Sequence, residues 1–92
     1  MLVGHAVEDG TLHIRLLRDL DVAGRAAAAL QVEMLLYAHR PRHVRLRLPT
    51  SAPSPASLSV IARARRLCEG LGIPLTVVGA AESAPPTRPA AA

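Results

Sequence analysis

Apolar residues fall on two different periods along the chain, and the switches between them mark the elements. Residues 2–7 (LVGHAV) and 11–17 (TLHIRLL) read as strands, and in the second His13 and Arg15 alternate with Leu12, Ile14 and Leu16. A period of two is what a sheet with one wet face and one buried face requires. Between them Glu8-Asp9-Gly10 supplies residues tolerant of positive φ, so the two strands are expected to form a hairpin. Asp21 then precedes an Ala-rich run and can accept from the free N–H groups of a helix start, which places a first helix from Asp21 to about His39. Val22, Ala26, Leu30, Met34 and Tyr37 lie on one stripe at spacings near the helical repeat and are the expected buried face, with Arg25 and Glu33 turned outward. Pro41 ends the helix, and His39 and Arg40 suit its negative dipole end.

The pattern returns to a period of two at residues 44–48 (VRLRL), where two arginines on one strand face cannot both be buried without partners. One sheet face is therefore expected to be open, with the helices mainly on the other. The stretch PTSAPSPAS has the composition of a linker, but Ser54-Pro55 is also a helix-start pair, with Ser as cap and Pro at the first helical position. On that reading a second helix runs to about Leu71. It buries Leu58, Ile61, Ala64 or the stem of Arg65, Cys68 and Leu71, and Gly70 and Gly72 terminate it. Leu75–Val78 is the last strand. The order β-β-α-β-α-β predicts a two-layer α/β domain with a mixed sheet, each helix being a right-handed crossover between parallel strands. The domain is expected over residues 1–80. The Pro- and Ala-rich residues 81–92 lack any apolar period and are expected to form a disordered tail.

Composition narrows the picture further. The chain has 92 residues, half of them apolar, with no Phe or Trp and a single Tyr, so the core must be aliphatic and thin. All eleven basic residues are arginines, which reads as the coding bias of a GC-rich genome, and the net charge of +4 is spread along the chain and demands no nucleic acid. The lone Cys68 excludes an internal disulfide, and the start MLVGHAVEDG lacks the features of a secretory signal. No apolar run approaches the ~20 residues of a membrane span. A cytoplasmic protein is expected.

Three stretches resemble the STAS domain, the fold of bacterial anti-sigma-factor antagonists. Residues 11–21 are similar to the family's strand running into a G-x-L-D helix start, with Leu20 and Asp21 matching and Arg18 in place of the glycine. Residues 44–48 are similar to the strand that in the family ends in Asp-Leu-Ser, with Arg47 at the aspartate position. Residues 54–66 (SPASLSVIARARR) are similar to the family's D-S-S-G-L-G-x-L-L-x-A-R-R run: the body of the helix matches, while Ser54 stands for the aspartate, Pro55 and Ala56 for the serines, and Ser57 for the glycine. The resemblance covers residues 2–79 and stops before the family's last helix–strand–helix segment, as in a shortened, degenerate member. It implies an anti-sigma factor or related signalling protein as partner. It also implies that the serine phosphorylated in the family is replaced here by Ala56.

Ser54 and Ser57 flank a helix N-terminus, where an anion is favoured, so they are candidates for partner docking or for phosphorylation elsewhere than the family position. Simple capping by Ser54, a leading N-cap residue type, is the reading favoured over either. Ser59, Arg63 and Arg66 are expected on the exposed face of the second helix, where the arginines could pair with an acidic partner or simply be solvated. His5, His13, His39 and His43 show no converging spacing and are expected at the surface without a metal. No nucleophile elbow, phosphate-binding Gly-rich loop or carboxylate pair is present, so neither an enzyme nor a cofactor is expected, and Cys68 reads as a small core residue. Beside the interaction module stand two alternatives. One is nucleic-acid binding by an open face bearing His13, Arg15, Arg45 and Arg47, without the aromatic residues that sheet-based RNA binders use. The other is a homodimer that completes the sheet edge.

Overall fold

The structure, a computed structural model, describes residues 2–79. It contains β1 (Val3–Glu8), β2 (Thr11–Leu16), α1 (Val22–His39), β3 (His43–Arg47), α2 (Pro55–Leu71) and β4 (Leu75–Val78). The strands form one mixed sheet in the order β1-β2-β3-β4, with β1 antiparallel to β2 and the remaining neighbours parallel. The α/β order expected from the sequence is therefore the one observed. The residues from 80 onward, where a tail was expected, lie outside the described part of the chain.

Asp9 and Gly10 both take positive φ (53° and 81°), the left-handed pair that a two-residue hairpin turn needs to follow the twist of its strands. The loop after α1 is tied to this turn, because the Arg42 amide donates to the Gly10 carbonyl at 2.8 Å. Register sets Leu12 of β2 level with Val44 of β3 and Ile14 with Leu46, and these four residues, with Leu16, are buried. With Leu36, Val60 and Cys68 beneath them, the interior is aliphatic.

Each helix begins where its cap was expected. Asp21 accepts from the Gly24 amide at 2.8 Å and Ser54 from the Ser57 amide at 3.1 Å. α2 closes on Gly72 in the left-handed conformation (φ 73°), whereas Gly70 lies inside the helix.

The face of α1 differs from the expected one. Its buried residues are Ala28, Ala29, Val32 and Leu36, whereas Val22, Leu30, Met34 and Tyr37 are exposed. The helix is apolar on nearly every side, so periodicity leaves its rotation open; the side that is buried is the one that packs chiefly against α2, through Ala28, Ala29, Val32 and Leu36. In α2, Ile61, Ala64 and Cys68 are buried as expected, but Leu58 is half exposed, and Ala56, Ser57 and Val60 take the inner positions.

Candidate functional site

The loops that follow β2 and β3 meet at the carboxyl ends of the parallel strands, the usual place for a ligand in an α/β sheet. Here they are joined by hydrogen bonds around Asp19. Its Oδ1 accepts from the Ser57 hydroxyl at 2.6 Å, the Ser54 amide at 3.1 Å and the Leu20 amide at 3.2 Å. The Ser57 oxygen in turn accepts from the Leu20 amide at 3.0 Å. Ser54 donates its hydroxyl to the Leu20 carbonyl at 2.6 Å while accepting the Ser57 amide. Each serine has one proton to give, and each has given it within this cluster. The two serine oxygens, 3.3 Å apart, are therefore close neighbours without a further donation between them.

These bonds hold the head of α2 against the start of α1. The Ser57 hydroxyl, followed by the Ser54 amide, keeps the Asp19 carboxyl below the ordinary carboxylate range, since both stabilise its ionised form. Asp19 itself is exposed, so the cluster is a polar lid whose inner half is dry and whose outer half is wet.

The sequence candidates separate accordingly. Ser57 is fully buried, which corrects its assignment as a docking residue: as the third residue of α2 it faces inward to the loop after β2. Ala56, beside it, is also buried. Ser54 is partly buried and acts as a cap. Ser59, Arg63 and Arg66 are all exposed on the outer face of α2, beside the half-exposed Leu58. Arg63 is shared with α1 through an ion pair to Glu33 at 3.7 Å, a surface contact of small energy. Asp19 is the member that sequence reasoning passed over; the only hint was a second aspartate just before the Asp21 cap.

The other polar surface is the open face of the sheet. Register sets Arg15 opposite Arg47 and His13 opposite Arg45 on adjacent strands. These four side chains, with His5, line a shallow depression of about 220 Å³. Arg15 lies across Gly4, where an added Cβ would stand 3.2 Å from its guanidinium. The acid recorded against this face is Glu8, 3.9 Å from His13. Cys68 is buried, and burial pushes its thiol pKa up, which makes it a poor nucleophile. Among the described residues no group of three or more His, Cys, Asp or Glu converges as a metal site requires, and no helix is long and apolar enough to cross a membrane.

Neither a family model nor a curated protein matches the chain. Among solved structures, one described as "Crystal Structure Analysis of Mglu" superposes on 83% of this chain with a TM-score of 0.64 and 18% sequence identity. The matched part is 19% of that protein's own chain, so the likeness is to a fold carried within a longer polypeptide. At that identity it speaks to the fold alone.

Proposed function

We propose that the chain is a protein-interaction module of the STAS type, similar to bacterial anti-sigma-factor antagonists, and that it holds its partner through the outer face of α2 without a phosphoserine switch. The observation that carries this reading is the division of that helix head into a closed inside and an open outside. Inside, the protons of Ser54 and Ser57 are committed to Leu20 and Asp19, and Ala56 offers no hydroxyl. Outside, half-exposed Leu58 supplies an apolar anchor beside Ser59, Arg63 and Arg66, a combination suited to an acidic partner surface. A cytoplasmic setting fits the lone reduced cysteine.

The test is co-purification from the native cell of wild type, a Leu58→Asp variant and an Arg63→Glu/Arg66→Glu variant. The expected result is a partner recovered with wild type and lost with both variants, whose circular dichroism stays native. Recovery of the same partners by all three overturns the reading, as does phosphate on Ser54 or Ser57 that controls the complex.

The second reading, nucleic-acid binding by the open sheet face, is favoured by one observation. Like charges directly opposed on adjacent strands, as Arg15 and Arg47 are, cost stability unless an anion offsets them. Binding of a labelled oligonucleotide that weakens steeply with salt supports it, and absence of binding at low salt removes it.

A further inference from the structure

α1 is the element whose surroundings do not match its sequence. A helix apolar on all sides is ordinarily covered on all sides, yet Val22 is 76%, Met34 60% and Leu30 56% exposed. The exposed strip carries no charge between Arg25 and His39, because Glu33, the acid in that span, is half buried and turned to Arg63 of α2. It continues into an apolar groove of about 360 Å³ between α1 and β1, lined by Val3, His5, Gln31, Met34, Leu35 and Ala38. Continuous apolar surface of this kind marks a contact site rather than a solvated face.

The order of residues along the strip indicates its occupant. After Val22 at its very start, its N-terminal half is small (Ala23, Ala26, Ala27), and its C-terminal half is bulky (Leu30, Met34, Tyr37). A second α1 laid antiparallel about a two-fold axis, passing midway along the helix near Leu30 and Gln31, sets Met34 of each copy over Ala27 of the other. A parallel arrangement would set bulk against bulk and gap against gap. The same two-fold brings exposed Asp21 at the start of each helix opposite exposed Arg40 at the end of its mate, so the charges complement as the volumes do. A surface that is its own complement under a two-fold is the signature of an isologous interface.

We infer that the chain forms a symmetric dimer through antiparallel pairing of α1, with Leu30 at the axis. The face is distinct from the outer surface of α2, so the dimer leaves that surface free, and its test is independent of partner capture.

Sedimentation equilibrium of the full chain across a wide concentration range is expected to show twice the single-chain mass, and Met34→Glu is expected to return it to one chain with unchanged circular dichroism. Geometry is read separately with a short bismaleimide. A Leu30→Cys variant is expected to cross-link to its mate, because the axis brings that position next to itself. A Val22→Cys variant is expected not to, since its counterpart lies at the far end of the helix. Wild type, whose Cys68 is buried, is the blank. A wild-type mass of one chain at the highest soluble concentration overturns the inference and leaves the face to a different protein. Equal cross-linking at positions 30 and 22 overturns the antiparallel geometry.

Discussion

Ser57 serves two segments at once, donating to Asp19 and accepting from the Leu20 amide while wholly buried. Replacing it with alanine removes both bonds and leaves the Leu20 amide only its longer contact to Asp19, at a cost of about 1–2 kcal/mol. Urea denaturation of Ser57→Ala is expected to show this as a lowered midpoint at unchanged slope. Asp19 makes the same joint sensitive to acid. Its carboxyl titrates lower in the folded protein than in the unfolded chain, so the folded state binds fewer protons there. The contribution is complete above the unfolded value and is lost as pH falls through the folded one. Asp19→Asn is therefore expected to reduce stability at neutral pH and to flatten its fall in acid; an unchanged acid limb in the pH series would show that other carboxylates control it. Ser54 and Asp21 were legible as caps because a cap is a local event, decided within three residues. The Asp19–Ser57 bond was not legible, since its partners are 38 residues apart and nothing local reports the distance.

The elements differ in how far their own sequence determines them. β2 and β3 alternate strictly between aliphatic and polar or basic residues, and a shift by one position would bury arginines, so both faces could be read from the chain. α1 is the opposite case: its limits were set by Asp21 and Pro41, but its rotation was not, because no polar stripe forbids any orientation. What decides it is packing with α2 and the sheet, which accept the small side chains of Ala28 and Ala29. The consequence is measurable. Leu36→Ala is expected to cost about 2–5 kcal/mol because Leu36 is fully buried. Leu30→Ala, measured at concentrations where the chain is monomeric, is expected to change stability by less than about 0.5 kcal/mol. Equal costs from calorimetry would mean that the helix is rotated toward the stripe suggested by periodicity.

At the scale of the molecule, the two polar surfaces lie on different parts of one thin layer pair: the hydroxyl cluster at the strand ends, the basic depression on the uncovered side of the sheet. That separation lets the fold tolerate a cost on one surface while the other holds it shut. The cluster also has a consequence in time. The β1–β2 hairpin is a local structure, closed by a two-residue turn, whereas the bonds of Asp19 need α2 in place, and closing so long a loop comes late because its entropy is lost before any contact returns it. The Ser54–Ser57–Asp19 joint is thus expected to be absent from the folding transition state. Ser57→Ala should steepen the rate of opening several-fold and leave the refolding rate nearly untouched, a pattern that stopped-flow folding and unfolding arms resolve directly. A clasp of this kind sets how long the native state lasts, more than how quickly it is reached.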